Sequence, residues 1–193
     1  MRLASIAASI SLAASLFLAV TAQAAEPGDT LVLELESGNV EIALRPDLAP
    51  QHVERIKQLA REGAYDNVAF HRVIDGFMAQ TGDVEFGDME EGYDPQRAGT
   101  GGSEHPDLPA EFSDASFERG TVGMARSQNP DSANSQFFIM FAPASHLDGS
   151  YTVVGKVENG MEHVDEIKKG DPANNGSVDD PDRIIRAYIA ADE

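Results

Sequence analysis

The most informative part of the sequence reads Phe70-His71-Arg72-Val73-Ile74-Asp75-Gly76-Phe77-Met78-Ala79-Gln80. Residues 68–74 predict a β-strand in which Arg72 shares one face with Phe70 and Ile74. A buried arginine is costly unless its N–H groups find acceptors, and Gln80 and Gln136 are plausible ones. The stretch therefore predicts a strand that presents one charged side chain on an otherwise apolar face.

A second informative stretch is Ser135-Gln136-Phe137-Phe138-Ile139, followed by Leu147-Asp148-Gly149 and by residues 151–157. Along residues 136–141, Phe138 and Met140 face one way, while Phe137, Ile139 and Phe141 face the other. Both faces are largely apolar. This pattern indicates a strand buried on both sides, in a barrel or sandwich with further structure packed outside it.

The rest of the mature chain adds mainly short strands and two helices. Alternating apolar residues predict a hairpin and three further strands, over residues 30–45, 121–126, 151–157 and 183–189. Apolar stripes at helical spacing predict helices over residues 49–63 and 161–169, the second followed by Gly170. Residues 83–109 lack periodicity and predict long surface loops. The pattern indicates one antiparallel β domain with two flanking α-helices.

The composition excludes several functions. With 14 Lys and Arg against 33 Asp and Glu, the net charge is −19, which argues against nucleic-acid and anionic-membrane partners. The absence of Cys excludes disulfides and thiolate metal sites. Residues 171–182 match a calcium loop only weakly, because Ala173 and Asp182 stand where Asp or Asn and Glu are expected. We predict no metal and no cofactor. The acidic run from Asp83 to Asp94 reads as a solvated loop, with recruitment of a basic partner as the alternative.

The N-terminus has the plan of a secretory signal. Arg2 is followed by an uncharged stretch from Leu3 to Ala25, and Ala22-Gln23-Ala24 supplies small residues for signal peptidase. A membrane anchor is the alternative, but the stretch is diluted with Ala and Ser and no basic cluster follows it. The sequence therefore predicts a signal peptide over residues 1–24, and a mature domain over residues 25–193 that is periplasmic or secreted and has no membrane contact.

The two quoted stretches resemble the signature blocks of the cyclophilins, the peptidyl-prolyl cis/trans isomerases. The resemblance extends from about Thr30 to Tyr188 and is closest to small exported bacterial cyclophilins. It implies a mainly β fold: a single closed antiparallel β-barrel of about eight strands, flanked by two α-helices. It also implies an enzyme that accelerates rotation about X-Pro bonds during folding of exported proteins, with proline-containing polypeptides as substrates.

The resemblance also implies the roles of single residues. Arg72 corresponds to the catalytic arginine, and Gln80 and Gln136 to glutamines that hold the peptide and the arginine. The proline pocket would be formed by Phe77, Met78, Phe138 and Leu147. Ala125 and Arg126 correspond to a strand edge that bonds the substrate backbone, and Tyr151 to a rim position. His146 stands where many members carry Trp, which predicts weakened cyclosporin binding.

The chemistry of the reaction agrees with these residues. Rotation about the X-Pro bond faces a barrier of roughly 18–20 kcal/mol and needs no nucleophile, metal or acid–base pair. A charged arginine near the prolyl nitrogen can stabilise its lone pair as amide resonance is lost, and an apolar pocket strengthens that hydrogen bond. The alternative is a binding module of the same fold that grips proline-containing segments without needing turnover. We expect a monomer in either case.

Overall fold

Eight strands form one antiparallel sheet in the computed structural model, which describes residues 26–193. The predicted signal peptide lies outside the described residues. The strands are β1 (Thr30–Leu35), β2 (Gly38–Leu44), β3 (Arg72–Ile74), β4 (Met78–Thr81), β5 (Thr121–Met124), β6 (Phe137–Met140), β7 (Val153–Asn159) and β8 (Arg186–Ile189). Their order across the sheet is β3-β4-β6-β5-β7-β2-β1-β8. The helices are α1 (Pro50–Arg61) and α2 (Met161–Glu166), and no helix among the described residues has the length and apolarity needed to cross a membrane.

The sheet is curled but open, so the prediction of a closed barrel is wrong. Closure would require β3 to pair with β8, and these are the two edge strands. The free edge of β3 is covered instead by a loop: Val73 N–H donates to Gly176 O at 2.8 Å, and Val178 N–H donates to His71 O at 3.2 Å. This loop takes the backbone groups that strand pairing would need.

The region before β3 also differs from the sequence-based prediction. The strand predicted from Val68 begins only at Arg72, because residues 68–70 bond to the loop before β8. Phe70 N–H donates to Asp182 O at 2.8 Å, and Ile184 N–H donates to Val68 O at 2.9 Å. The short strand β4 was not predicted, since its four residues follow a turn at Gly76 (φ +68°) and lack a clear alternation.

The sheet buries side chains on both faces, as predicted from residues 136–141. Phe137 and Ile139 belong to the main hydrophobic core, which also includes the apolar stripe of α1 and Val164 of α2. Phe138 and Met140 point to the opposite face and belong to a second apolar cluster. The second cluster contains most of the predicted pocket residues, so the fold separates its stabilising core from its candidate site.

Helix α1 begins without a side-chain cap of its own. Its N-cap residue is Ala49, and the first helical residue is Pro50. Glu111, from a distant loop, accepts hydrogen bonds from the backbone N–H groups of Gln51 at 3.1 Å and His52 at 3.2 Å. The same carboxylate lies 2.7 Å from Nδ1 of the fully buried His52. A tertiary contact therefore replaces the local cap.

Candidate active site

Arg72 stands in a row of directly paired residues that crosses four strands. Arg72 on β3 is opposite Gln80 on β4, Gln80 is opposite Phe138 on β6, and Phe138 is opposite Gly123 on β5. Residues directly opposite each other share one face of a sheet. The pairing therefore brings the predicted arginine, a predicted glutamine and a predicted pocket aromatic together on the face of the second cluster.

Both predicted glutamines lie beside Arg72, but only one of them contacts it. Nη1 of Arg72 donates to Oε1 of Gln80 at 3.1 Å. Nε2 of Gln80 donates to Oε1 of Gln136 at 2.9 Å, and Nε2 of Gln136 donates to the carbonyl oxygen of Gly101 at 2.8 Å. Gln136 therefore reaches the arginine through Gln80 and is not itself an acceptor for it, which corrects the expectation from the sequence.

Asn175 supplies the other acceptors for Arg72. Its carbonyl oxygen accepts from Nε at 3.0 Å, and its side-chain Oδ1 accepts from Nη2 at 3.1 Å. Asn175 has a positive φ of 53° and precedes Gly176, a pair typical of turns. From the sequence, Asn175 was noted only as part of a weak match to a calcium loop over residues 171–182. Within the described residues no group of three or more His, Asp or Glu could hold a metal ion.

The guanidinium of Arg72 keeps its charge and part of its hydrogen-bonding capacity. Burial lowers its pKa below the usual value for arginine. Arginine remains protonated at working pH even so. Among residues 26–193, no carboxylate forms an ion pair with Arg72. Gln80 and Asn175 take three of its five N–H groups and the Met78 sulfur takes a fourth, so the side chain is held while one donor remains for a ligand.

The predicted pocket residues lie together beside this arginine. Met78, Phe138 and Leu147 are buried in the second cluster, and Phe77, Ala125 and Tyr151 pack against it partly exposed. Nη1 of Arg72 is 3.9 Å from Sδ of Met78. The arrangement places a fixed cation at the edge of an apolar surface formed by these side chains.

Phe117 and Gly123 shape this pocket, and neither was predicted as a site residue from the sequence. Phe117 stacks on Phe138 with ring centroids 5.7 Å apart, and Tyr151 meets Phe138 edge-on at 5.9 Å. A Cβ at Gly123 would lie 2.6 Å from ring atoms of both Phe117 and Phe138. Only glycine leaves room for these rings. The pattern of residues 121–126 predicted a strand but not which side chains would fill the space beside it.

The predicted rim residues have separate surroundings. His146 is exposed and stacks on Phe77 with centroids 5.9 Å apart. The guanidinium of Arg126 lies 4.3 Å from the Tyr151 ring centroid and donates to the carbonyl oxygens of Ser127 and Ser150, both at 2.8 Å. The N–H of Ala125 donates to Gln136 O at 2.9 Å. That N–H is therefore not available to a substrate, and the expected backbone contacts would use the remaining groups of Ala125 and Arg126.

A groove of about 370 Å³ continues from the glutamines. One wall is the loop formed by Gly99, Thr100 and Gly101, and another is the segment from Ala125 to Ser127. Gln80 belongs to both the row and this groove, and Ala125 links the groove to the second cluster. A larger cavity of about 710 Å³ is lined by residues around Ile185 and His163 and includes none of the predicted site residues.

Residues 30–189 match a known protein family, described as cyclophilin type peptidyl-prolyl cis-trans isomerase/CLD. The chain is 64% identical over 187 residues to a probable peptidyl-prolyl cis-trans isomerase of Brucella suis. This alignment covers 94% of this chain and 95% of the relative. It is 39% identical over 139 residues to peptidyl-prolyl cis-trans isomerase B of Bacillus subtilis, with 71% and 89% covered.

Solved structures share the fold. A cyclophilin from Hirschia baltica superimposes with a TM-score of 0.73 at 23% identity, covering 89% of this chain and 77% of that one. A cyclophilin type peptidyl-prolyl cis-trans isomerase from Cryptosporidium parvum, crystallised in the presence of the dipeptide Ala-Pro, gives a TM-score of 0.69 at 24% identity, covering 83% and 98%. At these identities the likeness concerns the fold.

Proposed function

Because the chain belongs to the cyclophilin-type peptidyl-prolyl cis-trans isomerase family and is an isomerase of this class, we propose that Arg72 accelerates rotation about X-Pro bonds in exported proteins. The single observation that carries the arginine mechanism is the position of its guanidinium. Gln80 and Asn175 hold it, no carboxylate among the described residues neutralises it, and it borders the apolar surface of Met78 and Phe138.

In the proposed mechanism a hydrogen-bond donor acts on the prolyl nitrogen during rotation. As the amide twists, its resonance is lost and the nitrogen lone pair becomes a better acceptor, so a fixed N–H binds the twisted form more tightly than the planar one. The apolar pocket excludes water and strengthens this bond. An acceleration of about 10³- to 10⁵-fold requires only about 4 to 7 kcal/mol of preference for the transition state.

The substrate is proposed to lie across the whole surface. A proline ring would occupy the pocket formed by Phe77, Met78, Phe138 and Leu147. The preceding residues would run toward the groove beside Gly101 and Ala125. His146 and Tyr151 would contact the substrate at the rim. The proposed partners are proline-containing polypeptides, and the protein is proposed to act as a monomer.

The experiment that tests the arginine mechanism compares turnover with binding in Arg72→Ala. We expect turnover of an Ala-Pro peptide to fall by orders of magnitude, while the affinity for the same peptide falls modestly. Equal losses of both would mean that Arg72 mainly binds. That result would favour the alternative of a proline-binding module of the same fold, in which turnover is incidental.

Export is a separate part of the proposal and rests on the N-terminal sequence. Residues 1–24 have the basic start, apolar stretch and Ala-x-Ala end of a secretory signal, and the family match begins later, at Thr30. Cleavage after Ala24 would remove Arg2 and leave 13 basic against 33 acidic residues, a net charge of −20. Mass spectrometry of protein from an expressing bacterium tests this: a mature N-terminus at Ala25 outside the cytoplasm is expected, and an intact Met1 in the cytoplasm would refute it.

A further inference from the structure

Asp83 is a fully buried carboxylate that was assigned to a solvated acidic loop from the sequence. Its Oδ1 accepts from the backbone N–H groups of Glu85 at 3.1 Å and Phe86 at 2.9 Å. Its Oδ2 accepts from the N–H groups of Gly99 at 2.7 Å and Gly101 at 2.9 Å. A buried charge requires such partners, since it is otherwise costly. The carboxylate therefore joins two separate loops through four backbone donors.

The glycine loop fits closely around this carboxylate. A Cβ at Gly101 would lie 2.5 Å from Oδ1 of Asp83, and Gly99 has a positive φ of 96°. A Cβ at Gly99 would also lie 3.0 Å from the ring of His71, the neighbour of Arg72. The position of Gly99–Gly101 is thus set by Oδ2 of Asp83 and by close packing, so the direction of the Gly101 carbonyl is fixed as well.

The Gly101 carbonyl determines how the two glutamines are oriented. A glutamine amide carries a donor end and an acceptor end that can exchange places by rotation. Because Gly101 O accepts from Nε2 of Gln136, the Oε1 of Gln136 faces Gln80. Nε2 of Gln80 then bonds to that oxygen, and Oε1 of Gln80 faces Arg72. The Gly101 carbonyl thus orients the Gln136 amide, and Gln136 in turn orients the Gln80 amide. As a result, Gln80 presents an oxygen to the guanidinium of Arg72.

We propose that Asp83 is a positioning residue for Arg72, acting through Gly101, Gln136 and Gln80. It touches neither the substrate nor the arginine. By fixing the loop it keeps the Gly101 carbonyl in place, which holds both amides in the orientation that Arg72 requires. This inference rests on the proposed role of Arg72 and adds a buried residue on which that role depends.

The test replaces Asp83 by Asn and uses Asp88→Asn as the matched control. Asparagine at position 83 keeps one oxygen for Glu85 and Phe86 but turns an NH₂ group toward the donors of Gly99 and Gly101. Asp88 also accepts two backbone N–H bonds, from Glu90 and Glu91, but through a single oxygen that asparagine retains. We expect kcat/KM to fall about 10- to 100-fold in Asp83→Asn, because a small displacement of a catalytic group has that effect. The control should stay within about twofold of the wild type.

A double-mutant cycle with Gln136→Met separates positioning from general stability. Methionine is similar in length but has no amide, so it can bond neither to the Gly101 carbonyl nor to Nε2 of Gln80 in the way that Gln136 does. If Asp83 acts through Gln136, adding Asp83→Asn to Gln136→Met costs little further turnover. Losses that multiply, or an Asp83→Asn enzyme as active as the Asp88→Asn enzyme, would overturn the proposal.

Two further measurements cover the remaining outcomes. If Asp83→Asn does not fold, NMR of Gln136→Met gives the answer: the Arg72 Nη1–H signal, which reports the bond to Oε1 of Gln80, should shift and broaden while the amide signals of Gly99 and Gly101 stay in place. An unchanged Arg72 signal would overturn the proposal. Wild type and Arg72→Ala are measured alongside, because equal turnover in these two would refute the role of Arg72 itself rather than that of Asp83.

Discussion

Gly123 and Phe138 stand opposite each other on β5 and β6, and the Phe138 ring occupies the space that a side chain at Gly123 would fill. The stack of Phe138 on Phe117 depends on the same gap. The apolar part of the candidate site is therefore shaped by a missing side chain on the neighbouring strand as much as by the aromatic residues themselves.

We predict that Gly123→Ala impairs both stability and turnover. The added Cβ would lie 2.6 Å from both rings, so Phe138 must move within the pocket. Overpacking of this kind lowers the free energy of unfolding by about 1–3 kcal/mol. Urea unfolding and peptide turnover measure the two effects. Gly92→Ala is the control, since nothing lies within 4 Å of a Cβ there. Equal turnover in the two variants would contradict this account of the pocket.

A second prediction concerns the acid sensitivity of His71. Its ring is buried, and among the described residues neither ring nitrogen has a hydrogen-bond partner within normal geometry. Burial lowers the pKa of His71 from 6.5 to about 4, although the charge of Asp83 partly opposes this. The unfolded chain therefore binds the proton first. The neutral His71 ring therefore makes its full contribution to the free energy of unfolding above pH 6.5. This contribution decreases as the pH is lowered, by about 3 kcal/mol at pH 4.

His71→Leu checks this prediction. Urea unfolding between pH 7 and pH 4 should show a shallower loss of stability in His71→Leu than in the wild type. His105→Gln, at a partly exposed histidine, should follow the wild-type curve. If the free energy of unfolding falls equally steeply with decreasing pH in the wild type and in His71→Leu, another group is responsible for the acid sensitivity.

A third prediction concerns Glu111, which caps the N-terminus of α1 from a distant loop. Burial acts to raise the pKa of Glu111, but the hydrogen bonds from His52 and Gln51 outweigh it and hold the pKa below its usual value. Glu111→Ala would expose the first N–H groups of the helix and leave Nδ1 of His52 without its partner. We expect the free energy of unfolding to fall by about 1–2 kcal/mol. Thermal or urea unfolding measures this against Glu104→Ala, and a loss no larger than in that control would refute the capping role.

The rim supplies a fourth prediction. The exposed His146 offers less apolar area than the tryptophan that many members of the family carry, so cyclosporin binding should be weakened here. His146→Trp should raise the affinity for cyclosporin by about tenfold, which corresponds to about 1.4 kcal/mol of added contact. Calorimetric titration measures it, with His105→Trp as the control. An unchanged dissociation constant would mean that residue 146 does not limit the affinity for cyclosporin.

The sequence predicted those parts of the molecule that depend on local pattern. The β1–β2 hairpin, α1 and the doubly buried β6 follow from periodicity, and the family followed from two extended stretches and is confirmed by the comparisons. The ends of β3 and the open sheet could not be predicted, because loops far along the chain compete for the backbone groups of residues 68–73.

The residues of the candidate site also fall into those that the sequence predicted and those that it did not. Arg72, Gln80 and Phe138 were identified from the resemblance, and the structure brings them into one row. Asn175 was missed because it reaches Arg72 across 103 residues of chain, and Asp83 was missed because acidic residues in a loop are usually solvated. Such contacts depend on which loops meet in three dimensions, and no spacing rule in the sequence encodes that.

The most direct test of the central claim is the rate of cis/trans exchange of an Ala-Pro-Phe peptide, measured by NMR without a coupling protease. The samples are the mature protein, Arg72→Ala and Arg72→Lys, each shown by urea unfolding to be folded. We predict fast exchange with the wild type, near-background exchange with Arg72→Ala, and little recovery with lysine, which lacks the rigid fork held by Gln80 and Asn175. Exchange by a folded Arg72→Ala enzyme within a few-fold of the wild-type rate would contradict the account.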